Sequence, residues 1–411
     1  MGTDQGQKGM KPVRVLMVVR LFYPWVGGAE KQAHKLAKKL REKNIDVEIV
    51  TGWWFRATPQ RDTLDGVPVF RNHTLWEMFG IKGLRKFGGY LYIGTLVWHL
   101  WRRRADYDVI HVHGLNYHTF AAVLAGRWSH RRTLTKVANS GQASDVDKMR
   151  RDQQLLFARY MLPAALRCDQ FVAINGAIVR ELTAAGVPAG KIVRLPNGVE
   201  TDSIATKPGY ALHDPARLIF VGRLHAQKGL DVLLTAFQRL LRQDPSRTAC
   251  LQLIGEGPLR EDLTRLAEQL DLAGHVHFVG QSDQVLEYLQ QADVFVLPSR
   301  GEGMSNALLE AMACGLPVVV SDIPGNVDVV AHEHNGLLFA ANDSNSLAQA
   351  LALLLGQPAL RERLGRTARQ TVEQRYSLNA VADSYIALYH NLTSAAAGSF
   401  QDTARRQETN I

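Results

Sequence analysis

Short apolar, β-branched runs alternate with helical stretches along almost the whole chain, and that alternation constrains the fold more than any other feature. Val13 to Val19 is the first run. Leu21 to Gly28 follows, broken into a loop by Pro24 and a glycine pair. Ala29 to Lys43 then sets Ala33, Leu36, Ala37 and Leu40 on one helical face, with lysines around them. Further runs occupy 47–50, 109–112, 133–137, 171–174 and 191–195. A second series follows residue 200, at 218–222, 251–255, 276–280, 294–297 and 317–320. Runs of this length between helices build βαβ units and parallel sheets. Two series predict two doubly wound, Rossmann-like α/β domains facing a cleft, with ligands at the carboxyl ends of the strands.

The 411 residues suit two domains of roughly 100–200 residues each. Residues 1–11 are polar and Gly-rich, so a flexible N-terminus is expected there. The first domain is expected over 12–200 and a linker over 201–214, where Pro208 and Gly209 interrupt any periodicity. The second domain is expected over 215–376. A helix over 377–395 and a disordered polar tail over 396–411 complete the chain.

Charge is divided unevenly. Residues 1–200 carry 31 Lys+Arg and 16 Asp+Glu, whereas residues 201–411 carry 17 and 23, so the first half is +15 and the second −6. A basic half fits an anionic partner: nucleic acid, an anionic membrane or an anionic substrate. It has no nucleic-acid-binding motif and no interleaved aromatic–basic stripe, so no nucleic-acid partner is expected. Cys168, Cys250 and Cys314 are odd in number and far apart, which points to a reducing cytoplasmic compartment and to neither a disulfide framework nor a zinc site. Residues 90–101 form the most apolar stretch, shorter than the ~20 residues that span a bilayer. Residues 79–104 combine Lys82, Arg85 and Lys86, then aromatic residues, then Arg102 to Arg104. That pattern fits an interfacial helix on an anionic membrane. It equally fits a core helix whose last arginines complement its dipole.

The candidate site residues cluster after strand ends. Gly27 and Gly28 open the first helix, where backbone can approach a ligand and free amides favour anions. His111 and His113 share one face of their strand, and His113, beside Gly114, is placed to reach the cleft. Gly222-Arg223 and Lys228-Gly229 flank a loop in which two cations suit phosphate oxygens. Glu302-Gly303-Met304-Ser305-Asn306 leads into a largely buried helix that carries Glu310. Ser305 or Asn306 can cap it, its first amides can meet a diphosphate, and a carboxylate at Glu310 can take both hydroxyls of a ribose. Gly280, at a strand end, is expected to offer backbone to the base of a nucleotide. Asn139, Ser140 and Gln142 follow another strand and are candidate acceptor contacts. Asp106/Asp108 and Asp145/Asp147 are better read as capping or solvated residues than as metal ligands, and Gly255-Glu256-Gly257 is not continued as a dinucleotide fingerprint.

Taken together, these residues resemble glycosyltransferase family 4, of the GT-B fold. The most specific part is Glu302 and Glu310 with Ala311 to Pro317 behind them. Supporting matches are Gly222-Arg223-Leu224, Lys228-Gly229, Leu195 to Val199, and Gly27 to Glu30. The resemblance covers about residues 12–394. It implies a retaining transferase that takes a nucleotide-sugar (UDP- or GDP-sugar) donor and needs neither cofactor nor metal. The acceptor implied is a glycan or a lipid-linked molecule, in cell-surface polysaccharide or glycolipid synthesis. Its catalytic set would be His113, Arg223, Lys228 and Glu302. Gly28, Gly222, Gly280, Gly303, Met304, Ser305, Asn306 and Glu310 would join Arg223, Lys228 and Glu302 in holding the donor. Gly27, His113, Asn139 and Ser140 would face the acceptor. The pattern departs from the family at Pro324-Gly325, where a Gly pair is usual, and at Asp328, where a Glu is usual. The competing readings are a nucleotide-sugar epimerase on the same fold and a non-catalytic sugar-nucleotide-binding subunit.

Overall fold

The computed structural model describes residues 13–24, 27–55, 57–74, 85–141, 144–151, 158–246 and 248–408. The expected N-terminal segment 1–11, Lys82 and Gln142 lie outside these residues, as do the side chains of Arg85 and Lys86.

Eight strands form the first sheet: β1 (Arg14–Val19), β2 (Asp46–Gly52), β3 (Arg61–Leu64), β4 (Val67–Asn72), β5 (Val109–His113), β6 (Arg132–Val137), β7 (Gln170–Ala173) and β8 (Ile192–Arg194). Their order is β3-β4-β2-β1-β5-β6-β7-β8. All neighbours are parallel except β3 and β4, an edge hairpin. The hairpin was not legible in the sequence, because Arg61 to Leu64 is polar but for Leu64 and Pro68 interrupts the second strand; Pro is tolerated only near such an edge.

The second sheet contains β9 (Ala216–Val221), β10 (Ala249–Ile254), β11 (Val276–Gly280), β12 (Val294–Leu297), β13 (Val318–Ser321) and β14 (Leu337–Phe339). Its order is β11-β10-β9-β12-β13-β14, parallel throughout. The two-domain, Rossmann-like architecture inferred from the alternation is therefore the observed one.

Period-2 alternation explains how the layers assemble. In β1, Val15, Met17 and Val19 face one side, while Leu16 and Val18 face the other. The first side is covered by Leu36 and Leu40 of the first helix, Gly28–Glu42, and by Val381, Tyr385 and Tyr389 of the last helix, Leu378–Glu408. The chain thus ends by packing back on its first domain. Each fully buried side chain of this kind contributes about 1.5–3 kcal/mol. The helix continues past residue 395, where the sequence reading ended it. Residues 396–408 hold three alanines but only one glycine and no proline, so nothing there stops a helix.

Both sheets reverse their strand order at an internal point. In the first it lies between β1 and β5, and in the second between β9 and β12. Such switch points are where the loops part and leave a crevice. The loops after β1, β5, β9 and β12 carry Gly27 and Gly28, Gly114, Arg223, and Glu302, respectively.

Candidate functional site

One wall is built by the second domain. After β9, the Gly222 amide donates to the Ile254 carbonyl at 2.9 Å, which fixes the start of the loop. Arg223 follows, exposed, with no ion pair or hydrogen bond from its guanidinium among the described residues. Lys228 closes a single 3-10 turn, and its Nζ donates to Glu302 Oε1 at 2.5 Å. The same oxygen accepts from Ser299 Oγ at 2.7 Å. Glu302 is only 9% exposed, so the carboxylate is held rather than solvated. Gly280 lies further out at the end of β11, and its carbonyl accepts from the Gly255 amide at 2.8 Å.

The helix Asn306–Ala313 starts beside this loop. Ser305 caps it by accepting from the Leu308 amide at 3.3 Å, an interaction worth ~1 kcal/mol. Capping leaves other first-turn amides directed at the crevice. Gly325 comes against the same loop from below. A Cβ there would sit 2.5 Å from the Glu302 carbonyl oxygen and 2.7 Å from that of Gly303. The departure at Pro324 therefore leaves the close approach at Gly325 intact.

The opposite wall comes from the first domain, and the two walls touch. A Cβ on Gly303 would lie 1.8 Å from the Ala138 carbonyl oxygen, so only glycine fits this crossing. Asn175 Nδ2 donates to the Gly303 carbonyl at 2.6 Å and to Ser140 Oγ at 3.3 Å. Asn306 Nδ2 donates to the Gly28 carbonyl at 2.9 Å. Lys35, on the first helix, donates to Glu310 Oε1 at 3.0 Å. Below these contacts, His113 is buried at the end of β5, and burial holds its imidazole well below the ordinary range, with His111 and Lys136 adding to the effect. Asn139 and Ser140 are already engaged: Asn139 Nδ2 donates to Asp145 at 2.9 Å, and Ser140 is buried against Asn175. Met304 is buried too, its sulfur accepting from the Asn197 amide at 3.3 Å.

Two sequence-family models match the chain. The model described as Glycosyltransferase Family 4 matches residues 26–203, and that described as Glycosyl transferases group 1 matches residues 205–371. The D-inositol 3-phosphate glycosyltransferase of Kineococcus radiotolerans is 30% identical over 88% of this chain and 90% of its own. The chain belongs to the family 4 glycosyltransferases. The N-acetyl-alpha-D-glucosaminyl L-malate synthase of Bacillus anthracis is 22% identical, over 90% of this chain and 95% of its own. Among solved structures, Anabaena HepE in complex with UDP superposes with a TM-score of 0.72 at 18% identity, covering 92% of this chain and 100% of that one. That likeness bears on the GT-B fold.

In this glycosyltransferase the structure gathers Gly28, Asn139, Ser140, Lys228, Glu302 to Asn306 and Glu310 along one interdomain seam. Gly27 adjoins it, with its amide donating to Glu30 at 2.9 Å. Gly280 stands apart at the outer strand of the sheet. Three seam residues escape motif reasoning, and a fourth enters it only as a departure from the family pattern. Lys35 and Gln32 lie on a helix face that reads as solvated, yet Gln32 Nε2 donates to the Gly198 carbonyl at 2.9 Å. Asn175 follows β7 and looks like a simple helix cap. Asp328, the position departing from the family pattern, pairs with Arg194 at 2.9 Å and accepts from the Gly176 amide at 2.8 Å. It ties the domains together. Among the described residues, no group of three or more His, Cys, Asp or Glu side chains could hold a metal ion.

Proposed function

We propose that this glycosyltransferase moves a sugar, with retention of configuration, from a UDP- or GDP-sugar to a hydroxyl of a glycan or lipid-linked acceptor. The observation that carries this reading is the second-domain wall. Arg223 stands exposed and unpaired among the described residues on the same loop as Lys228, Lys228 reaches Glu302, and Ser305 caps the helix start beside the close backbone approach at Gly325. Such an arrangement suits a diphosphate leaving group. As the glycosidic bond breaks, an oxocarbenium-like sugar forms and negative charge grows on the departing phosphate. Arg223, Lys228 and the helix amides oppose that charge. Glu302, held by Lys228 and Ser299, faces the sugar hydroxyls, and Glu310 faces the ribose. Gly280 offers backbone near the base. His113 stays neutral at the acceptor side. With no residue assigned as nucleophile, attack comes on the same face that the phosphate leaves, and the phosphate accepts the acceptor's proton.

The relatives' names include small anionic acceptors, an inositol phosphate and malate. These fit the basic first half better than a neutral glycan does. Two cations at the diphosphate also supply the positive charge that a divalent metal would, so the reading needs no metal. Three free cysteines accord with a cytoplasmic site of action. A thermal-shift panel of UDP- and GDP-sugars, followed by product analysis with and without EDTA, tests the proposal. One stabilising sugar nucleotide, an α-linked product from an α-linked donor and an EDTA-insensitive rate are expected. Isomerised donor with no acceptor product would instead identify an epimerase.

A further inference from the structure

Three bases lie side by side under the cleft with no acid among them. His111 and His113 of β5 and Lys136 of β6 project from the same sheet face, and His113 is in register with Lys136. The two imidazole rings are 4.3 Å apart. His111 Nδ1 meets Tyr389 of the last helix at 2.8 Å. Beyond that bond the cluster is unsatisfied. His111 Nε2, His113 Nε2 and the Tyr385 hydroxyl are enclosed and have no partner among the described residues.

Lys136 is the most unusual member. Its side chain is buried, with the residue 4% exposed, and its ammonium makes no ion pair or hydrogen bond among the described residues. Lys207 shows how this chain otherwise treats a buried lysine: its Nζ donates to the Ala292 carbonyl at 2.9 Å and lies 3.8 Å from Asp293. The buried carboxylates, Asp145 and Asp293, serve Asn139 and His213 and do not reach Lys136. A lysine side chain buried to this degree with no acid beside it is costly, and an apolar side chain of similar length would avoid that cost. Buried polar groups left open in this way call for a partner, be it a water, an ion or a ligand group. The place is next to the seam, because Ala138, two residues beyond Lys136, is the residue that touches Gly303.

We propose that Lys136, beside the two imidazoles, forms the anion-recognising subsite of the acceptor side and receives a phosphate or carboxylate group carried by the acceptor. The inference rests on the transferase reading above and deepens it. A donor diphosphate is the other source of anionic oxygens. However, the donor cations Arg223 and Lys228 stand on the second domain, whereas Lys136 belongs to the first, which carries the +15. The acceptor is therefore the assigned source.

The test uses the full chain with its nucleotide site filled by UDP or GDP, whichever binds, at fixed ionic strength, titrated with inorganic phosphate and separately with L-malate. Melting temperature and calorimetric affinity are read for wild type and Lys136→Met. Wild type should be stabilised by at least one of the two anions beyond a chloride control. Lys136→Met should lower that affinity about tenfold or more, the loss of one charge-assisted contact, while nucleotide affinity stays as in wild type. Stabilisation by neither anion, an undiminished response in the variant, or a parallel loss of nucleotide affinity would overturn the assignment. If Lys136→Met does not fold, Lys136→Gln is read in the same way. Failure of both UDP and GDP to bind wild type would defeat the transferase reading by itself. The anion titrations without nucleotide would then still judge Lys136.

Discussion

Lys136 exerts its effect on stability as well as on recognition. Burial pulls its pKa from 10.5 down to about 8. The folded chain then resists a proton that the unfolded chain accepts. The resulting penalty is fully present below about pH 8 and is relieved as pH rises toward 10.5. Replacing the ammonium removes the penalty. Lys136→Met should be more stable than wild type by about 1–3 kcal/mol at pH 7, with the gain disappearing above pH ~10.5. Urea unfolding across pH 6 to about 10.5 checks this. A variant less stable at pH 7, or a gain that does not vary with pH, would contradict it. The neighbouring imidazoles do not obscure the result, since burial pushes His111 down to about 3 and holds His113 well below its ordinary value. Both are neutral throughout the range.

Between elements, the first helix and the helix Asn306–Ala313 share the Lys35–Glu310 pair. Glu310 is the carboxylate assigned to the ribose, so a bound nucleotide and Lys35 compete for it. Lys35→Ala should tighten UDP binding several-fold, and Glu310→Gln should weaken it about tenfold, both read by calorimetry. With the two side chains 29% and 20% exposed, the pair itself contributes under about 1 kcal/mol to stability. Weaker UDP binding in Lys35→Ala would show that the pair assembles the site rather than guarding it.

The same two helices show what was legible in the sequence. Motif spacing singled out Glu302, Ser305 and Glu310, which the fold places along the seam, because loop, cap and buried helix each leave a local signal. It missed Lys35 and Asn175, and marked Asp328 only as a departure from the family pattern, since their role is to meet the other domain and no local pattern records that. The short β14 was missed for a related reason. Leu337 to Phe339 is too brief for a period, and only pairing with β13 makes it a strand. Lys136 carried no signal in the sequence, being one of two cations in β6 with Arg132, and only the fold shows that no acid among the described residues reaches it.

For the whole molecule, the uneven charge acquires a location. No helix among the described residues is long and apolar enough to cross a membrane. The helix Arg85–Arg102 buries Tyr92, Leu96 and Leu100, which is the core-helix reading of that segment. Its outer face nevertheless presents Trp98, 57% exposed, with Arg102 over the ring at 5.3 Å, and Trp101 stacked under Arg104 at 4.6 Å. Exposed Trp beside Arg suits the headgroup region of an anionic bilayer. If a lipid-linked acceptor is used, the chain should float with liposomes containing phosphatidylserine or phosphatidylglycerol at low salt and be released at high salt. Binding should fall on Trp98→Ala with Trp101→Ala. No salt-sensitive flotation would leave a soluble anionic acceptor as the remaining reading.

A nucleoside diphosphate held by Arg223 at the switch point of the second sheet is what the transferase activity requires first. Calorimetric titration of UDP and GDP into wild type and Arg223→Ala tests this directly. One of the two nucleotides should bind wild type at a single site, and Arg223→Ala should weaken it at least tenfold with its circular dichroism unchanged, a loss of ~1.4 kcal/mol or more. Equal affinity in the folded variant would contradict the assignment of the cleft.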